Sequence, residues 1–259
     1  METITSRENA KVRYACRLSS SAGFRRTEGR FFAEGRKLIP ELSRGAELET
    51  LFVTDAALEA VPSLDDLPGD HYRIPLHVAD KLADVGTHQG VFAVFRMPAA
   101  DFSAIPPEGR VLALENVQDP GNVGTLLRSA AAFGYDAVVL SDGCASPFSP
   151  KTLRASMGAA ARIPVIEGGA MPQTIRQLRE SGYLCLAAAL MQSRTPDEIA
   201  VPSGSGLCAV IGSEGQGLTA ETIQACGAAV RIPMTDRVES LNAAIAGSIL
   251  LWHFRRIGR

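Results

Sequence analysis

Short apolar runs that alternate with helix-like segments are the feature that most constrains the fold of this chain. Five such runs follow one another, at residues 111–117, 136–141, 184–190, 207–212 and 230–234. Buried strands this short, separated by helices, are typical of a mostly parallel sheet that helices cover on both faces. The sequence therefore predicts an α/β fold. In such sheets, ligands bind at the carboxyl ends of the strands.

The segments between these strands carry helical patterns. In 122–134, apolar residues recur three and four positions apart, with Asn122 placed to cap the start of a helix and Gly134 to end it. Further helices are predicted at 174–181, 219–226 and 241–256. The last of these is rich in alanine and glycine, which would let it pack closely against another element.

A segment with three prolines, residues 97–110, indicates a domain boundary. We therefore predict two domains, residues 1–105 and residues 106–259. The first is predicted to be a small α/β domain, with a helix over 31–45 and strands over 48–54 and 90–95.

Charge is distributed unevenly along the chain. The formal net charge of −2 argues against a protein that binds nucleic acid through charge alone. Residues 1–44, however, contain ten Lys and Arg against five Glu. Such a basic end suits contact with a phosphate backbone, and it is equally explained as a solvated helix face.

The cysteines and histidines give no sign of a metal centre. The five cysteines lie at least 18 residues apart, which indicates neither a zinc site nor a disulfide framework. Cys185 and Cys208 lie in apolar runs, where a thiol usually belongs to the core. Residues 1–10 contain no apolar stretch of the kind found in secretory signals, so we expect no such signal, and no apolar run approaches the ~20 residues that span a bilayer. We therefore expect a cytoplasmic protein without a metal.

Three loops at predicted strand ends combine glycine, asparagine and charged residues. They are ENVQDPGNVGTLLR (115–128), GSEGQGL (212–218) and IPMTDRVESLNAAIAGS (232–248). The first lacks the G-x-G-x-x-G of dinucleotide sites, and the second lacks the Lys-Ser/Thr of a P-loop. Taken singly, each loop is as well explained by turns and helix caps. All three loops together, in this order along the chain, are a far more specific sign of a functional site.

The three loops resemble the motifs of the SpoU (TrmH-like) branch of the SPOUT RNA methyltransferases, over about residues 110–256. Asn122 and Arg128 fit an N-x-G-x-x-x-R motif, and the other two loops fit the second and third motifs. Residues 150–165 also look like a family segment. The segments FFAEGRKLIPEL and THQGVFAVF resemble a small substrate-binding domain similar to ribosomal protein L30e.

The resemblance implies a cofactor and a distinctive topology. Family members bind S-adenosylmethionine in a C-terminal deep trefoil knot and act as homodimers. Carried over to this chain, Ala188, Gly212, Ile232 and Leu241 are expected to hold the cofactor. A bulky side chain at 212 would then exclude it. The helix that begins at Asn242 is expected to serve both the knot and the dimer contact.

The resemblance also implies the reaction, which is methyl transfer to a ribose 2′-hydroxyl of RNA. Arg128 is the expected catalytic residue, supported by Asn122, Glu214, Ser240 and Asn242, although Glu214 could instead only brace its loop by pairing with Arg128. A guanidinium is a poor base, so Arg128 better suits stabilising an alkoxide or gripping a phosphate. Candidate RNA contacts are Arg25, Arg26, Arg36, Lys37, Lys151 and Arg154.

Three alternatives remain open at this point. The RNA is expected to be rRNA, by analogy with enzymes that carry an added N-terminal domain, but tRNA is a second candidate. A non-catalytic ribosome assembly factor on the same fold is a third reading, disfavoured by the intact catalytic positions. A nicotinamide-dependent enzyme is disfavoured by the missing glycine fingerprint. The target nucleotide, and any role in antibiotic resistance, cannot be read from the sequence.

Overall fold

The computed structural model of the protein describes residues 1–84, 86–190 and 192–255. The chain forms two compact units, Met1–Pro98 with Ser146–Arg162, and Ala99–Ala145 with Ile163–Arg259. The first break falls inside the predicted proline-rich boundary. Residues 146–162, which the sequence assigned to the second domain, group instead with the first unit. The predicted division into residues 1–105 and 106–259 stays a prediction.

The elements follow one another in chain order. Along residues 1–98 they are β1 (Glu2–Thr3), α1 (Ala10–Ser20), α2 (Ala22–Glu28), β2 (Arg30–Glu34), α3 (Leu38–Leu42), β3 (Leu48–Val53), α4 (Asp55–Ala60), β4 (Asp70–Arg73), α5 (Leu76–Leu82) and β5 (Val91–Arg96). Beyond them lie β6 (Arg110–Leu114), α6 (Pro120–Ala132), β7 (Ala137–Leu140), α7 (Pro150–Ser156), β8 (Val165–Glu167), α8 (Met171–Glu180), β9 (Tyr183–Ala188), β10 (Gly206–Ile211), α9 (Ala220–Cys226), β11 (Gly227–Val230) and α10 (Ala243–His253).

The first unit contains a five-stranded sheet in the order β1-β4-β3-β5-β2. Strand β5 runs antiparallel to both β2 and β3. The helix predicted over 31–45 is wrong in its first half, because Phe31 and Phe32 lie in β2 and are fully buried. Gly35, with φ +127°, separates this strand from the short helix α3. These two rings therefore belong to the core and offer no stacking surface for a base.

The second unit contains a six-stranded sheet in the order β11-β9-β10-β6-β7-β8. Every neighbouring pair in it is parallel, which confirms the predicted α/β fold with a mostly parallel sheet. The strand predicted at 230–234 is wrong, since β11 begins at Gly227 and ends at Val230. Its glycine and alanines carry little strand propensity, which hid it from the sequence pattern. Residues 231–234 instead continue past its carboxyl end.

Helix α6 begins two residues earlier than predicted. Asp119 is its N-cap, with its side chain accepting a hydrogen bond from the Asn122 amide, and Pro120 occupies the first turn. A proline is favoured there because its missing N–H has no helical partner in any case. The assignment of Asn122 as the cap is therefore wrong, which leaves its side chain available for other bonds. Gly134, with φ +73°, follows the helix end as predicted.

Helix α10 packs against α6, as its small residues predict. A Cβ atom on Gly247 would lie 2.4 Å from Leu126 Cδ2, so glycine lets the helices approach without moving that side chain. The hydroxyls of Ser129 and Ser248 are 2.8 Å apart and join the two helices. The helix ends at His253, and residue 256, the end of the predicted helix, lies outside the described residues.

The cysteine prediction is confirmed by burial. Cys185 and Cys208 lie in the core of the second unit. Burial raises the pKa of the neighbouring Cys226 to about 12, so this thiol is protonated at neutral pH.

Within the described ranges, no group of three or more His, Cys, Asp or Glu is placed to hold a metal ion. No helix in that part of the chain has both the length and the apolar character needed to cross a bilayer.

Candidate active site

A cavity of about 380 Å³ opens at the carboxyl ends of β9, β10 and β11. This is the edge of a parallel sheet where ligands are expected. Three segments supply most of its lining: the end of β9, the loop after β10 and the chain that follows β11. The four residues predicted to hold a cofactor all line it, namely Ala188, Gly212, Ile232 and Leu241.

The loop 212–218 folds back tightly on itself at one side of the cavity. The Gly217 amide donates to the Ser213 carbonyl at 2.9 Å, and the same two residues form an isolated bridge. A Cβ atom on Gly212 would lie 2.2 Å from the carbonyl carbon of Gly217. No side chain fits in that space, so glycine at 212 is required by the loop's own backbone.

Three side chains from the three loops meet beside this cavity. Asn122 Nδ2 donates to Glu214 Oε1. Asn242 Nδ2 donates to Asn122 Oδ1 at 3.1 Å. Asn242 also caps α10, because its Oδ1 accepts from the amides of Ala244 at 2.9 Å and Ile245 at 3.2 Å. Its cap role fixes Asn242, which in turn orients the amide of Asn122 toward Glu214.

Glu214 also belongs to the cavity wall, together with Ser240 and Glu239. The lining is mostly apolar, and its charged residues are these two carboxylates and Arg231. A ligand with charges of both signs can therefore find an opposite charge in the wall. Ser240 is exposed, so its hydroxyl can reach a bound molecule. Four of the five predicted catalytic residues therefore lie together at one edge of the sheet.

Arg128 is the exception. It lies on α6 six residues beyond Asn122, about 9 Å further along the helix axis. Its side chain is exposed and, across the described residues, has no hydrogen-bond or ion-pair partner. The alternative in which Glu214 pairs with Arg128 is wrong, because Glu214 bonds to Asn122 instead.

Two protein-family models match the chain. The model described as SpoU rRNA Methylase family matches residues 109–252, which is more than half of the sequence. A second model, described as MRM3-like substrate binding domain, matches residues 9–93. The chain belongs to the SpoU rRNA methylase family.

Similar proteins are found in bacteria and in a vertebrate. The SpoU chain is 31% identical to the 23S rRNA (guanosine(2553)-2′-O)-methyltransferase RlmP of Bacillus subtilis, covering 98% of this chain and 100% of that protein. It is 30% identical to the mitochondrial rRNA methyltransferase 3A of Danio rerio, over 92% of this chain and 66% of that one. Among solved structures, an AdoMet-bound rRNA methyltransferase from Sinorhizobium meliloti superposes with a TM-score of 0.84, at 29% identity over 97% and 96% of the two chains.

These matches confirm the predicted family, its methyltransferase class and S-adenosylmethionine as cofactor. The cavity of this SpoU chain fits such a group. Its volume lies within the ~300–1,000 Å³ that is usual for small-molecule sites. Small apolar residues and glycine backbone suit the adenosine, and the carboxylates of Glu214 and Glu239 suit the cationic sulfonium and amine.

The predicted RNA contacts lie in the first unit and differ in availability. Arg26, Lys37 and Lys151 are exposed. Arg36 is half-buried, and its backbone amide donates to Gln89 Oε1 at 2.9 Å. These four residues remain candidate phosphate contacts.

The prediction that Arg25 contacts RNA is wrong. Its side chain is buried, and Nη1 donates to the carbonyls of Leu18 at 2.7 Å and Ser19 at 3.0 Å. It therefore holds the end of α1, because a buried guanidinium needs such acceptors. Arg154 is partly engaged as well, since Nη2 lies 2.8 Å from Asp84 Oδ2.

Sequence reasoning overlooked one carboxylate next to the cavity. Glu115 is the first residue of the first loop, and it is buried. Its position directly after an apolar strand was a signal that could have drawn attention to it. An acidic residue is seldom buried without hydrogen-bond or ion-pair partners. The sequence pattern alone did not show which groups it contacts.

Proposed function

We propose that this SpoU chain transfers a methyl group from S-adenosylmethionine to a ribose 2′-hydroxyl of ribosomal RNA. The observation that carries the proposal is the Asn122–Glu214–Asn242 network beside the cavity, since it joins all three family motifs in one place. The choice of rRNA is supported by the relatives from B. subtilis and D. rerio, which are both named as rRNA methyltransferases.

The bound cofactor supplies a methyl group that its positively charged sulfur makes electrophilic. The chain's own residues must then hold the reactants in line, which can contribute several kcal/mol to catalysis. In this proposal Ala188, Gly212, Ile232 and Leu241 hold the adenosine. Asn122, Glu214, Ser240 and Asn242 orient the ribose, with Ser240 free to hydrogen-bond it.

Arg128 has a different task in the proposed reaction. A guanidinium is in general a poor base, so this proposal gives Arg128 no proton-abstracting role. Its exposed position suits contact with the RNA, where it would grip the phosphate next to the target or stabilise the developing alkoxide. The phosphate contacts of Arg26, Arg36, Lys37 and Lys151 would hold the RNA without reading its sequence.

A methyl-transfer assay tests the proposed reaction. Labelled S-adenosylmethionine is incubated with unmodified rRNA, unmodified tRNA and ribosomal assembly intermediates, and the RNA is digested to nucleosides. We expect a labelled 2′-O-methylnucleoside from rRNA or an assembly intermediate. Label in tRNA alone would replace rRNA by tRNA as the substrate. Cofactor binding without label on any of these RNAs would favour the non-catalytic assembly factor.

A homodimer belongs to the same proposal. On α10, Ile245, Ile249 and Trp252 are about half exposed and lie beside Thr125 of α6 in a shallow groove. Their spacing of four and three residues puts all three on one helix face. Large apolar side chains grouped in this way mark an association surface. Helix α10 continues directly from the third motif, and it is the helix on which the family resemblance places the dimer contact.

We expect Ile249→Glu to convert the dimer into monomers, because it places an unpaired charge in an apolar interface. Light scattering after size-exclusion chromatography would measure the mass of both forms. Gln177→Glu is the control, since Gln177 is exposed on α8 and away from this face. A wild-type protein that elutes as a monomer would contradict the dimer. An Ile249→Glu dimer would place the contact elsewhere.

Three further features are proposed on the family's pattern. They are the deep trefoil knot in the C-terminal region, an L30e-like fold for the first unit and a cytoplasmic location. The order of the parallel sheet in the second unit and the match of residues 9–93 to a substrate-binding domain support the first two. The location rests on the bacterial relatives alone.

A further inference from the structure

Glu115 is a buried carboxylate that the proposed reaction does not use. It directly follows β6 in the second unit and is only 4% exposed. Burying a carboxylate costs much free energy unless hydrogen bonds compensate for the lost water. The contacts that compensate it therefore indicate what the residue is for.

Its side chain accepts three hydrogen bonds from the segment that follows loop 212–218. Oε2 accepts from the Thr219 amide at 2.8 Å. Oε1 accepts from the hydroxyl of Thr219 at 3.1 Å and from that of Thr222 at 2.6 Å. Thr222 is completely buried, and Thr219 is the N-cap of α9. Both carboxylate oxygens are thus committed to the start of this helix.

The backbone of Glu115 contacts the other end of the same loop. Its amide donates to the carbonyl of Ile211 at 2.9 Å. Ile211 immediately precedes loop 212–218, and Thr219 immediately follows it. One residue of the neighbouring strand end therefore joins both ends of the loop.

We infer that Glu115 is a positioning residue, which sets the shape of the cofactor cavity by fixing both ends of loop 212–218. The loop supplies Gly212 and Glu214 to the cavity wall. Within the loop, the bond between Gly217 and Ser213 closes the turn, and Glu214 bonds to Asn122 of α6. Glu115 adds the connection between both ends of the loop and the end of β6. The inference rests on the proposed function, because it concerns the same cofactor site.

The chemistry of the contacts explains why a carboxylate is used. The Thr219 amide and the hydroxyls of Thr219 and Thr222 all donate to Glu115, and a carboxylate only accepts. In Glu115→Gln, one oxygen is replaced by an amide NH2, which would face a donor. In Thr222→Val, the shape is kept and one donor is lost. Thr222→Ser keeps the hydroxyl and is the matched control.

The test measures the Kd of S-adenosylmethionine by calorimetry, with KM and kcat from the methyl-transfer assay and thermal unfolding as a check on folding. Because hydrogen bonds to charged groups are among the stronger ones, we expect Glu115→Gln and Thr222→Val to raise Kd and KM about ten-fold. At saturating cofactor, kcat should stay within about three-fold, as expected when binding rather than the chemical step is changed. Thr222→Ser should retain the wild-type Kd.

Two outcomes would overturn the inference. If Thr222→Val and Glu115→Gln bind the cofactor as the wild type does, the anchor does not shape the cavity. If they only lower the unfolding temperature, Glu115 has a purely structural role. The Thr222 pair keeps the test valid if the Glu115 variant fails to fold. A wild-type protein that does not bind S-adenosylmethionine would instead overturn the proposed function, and this inference with it.

Discussion

Replacing Arg128 by alanine should reduce methyl transfer by about a hundred- to a thousand-fold, the usual effect of removing one group that stabilises developing charge. The affinity for S-adenosylmethionine should stay within a few-fold of the wild type. This separation is expected because Arg128 lies on α6, outside the cavity lining. Single-turnover assays on rRNA and calorimetry with the cofactor would measure the two effects.

The matched control for Arg128→Ala is Arg176→Ala. Arg176 is also an exposed arginine on a helix of the second unit, and it is not part of the site. It should retain full activity, so a general effect of charge removal can be subtracted. Loss of cofactor binding in Arg128→Ala would assign this residue to the cofactor site. Full activity would remove it from the reaction.

Gly212→Val should strongly weaken cofactor binding, and the structure gives a different physical reason from the one that the sequence suggested. The sequence predicted that bulk at this position would collide with the adenosine. The structure shows that the new Cβ would first meet the loop's own backbone, 2.2 Å from the Gly217 carbonyl carbon and 2.5 Å from the Leu218 amide nitrogen. Overpacking of this kind costs about 1–3 kcal/mol, and here the strain falls on the segment that shapes the cavity.

Since 1.4 kcal/mol is tenfold in affinity, Gly212→Val should raise the Kd of S-adenosylmethionine by about ten- to a hundred-fold. Gly215→Val is the control in the same loop, because a Cβ there has no atom within 4 Å. It should bind the cofactor nearly as the wild type does. Equal binding by the two variants would mean that the cavity at the strand ends is not the cofactor site.

The periodicity of the apolar residues was sufficient to predict β6, β7, β9 and β10, four of the six strands in the sheet of the second unit, whereas it missed β8. These four strands are short, buried and parallel, so their hydrophobic runs are visible in the sequence itself. The apolar pattern gave the wrong element or the wrong bounds at β2 and at β11. Phe31 and Phe32 fit a helical spacing with Leu38 and Ile39, yet they form a strand because β5 pairs with them. Strand β11 was shifted because glycine and alanine give little strand signal.

What the sequence alone determined is the family, the fold class and the residue types at the strand ends, since these depend on local pattern and motif order. Only the tertiary structure decided which side chains meet. Asn122 reaches Glu214 across 92 positions and Asn242 across 120, and no local pattern encodes such pairs. The same holds for Glu115, whose side-chain partners Thr219 and Thr222 lie 104 and 107 positions away. Arg25 bonds to the nearby Leu18 and Ser19, and its burial depends on the packing of the first unit. Burial and pairing of polar groups are set by how distant elements pack, so they emerge only when the chain is folded.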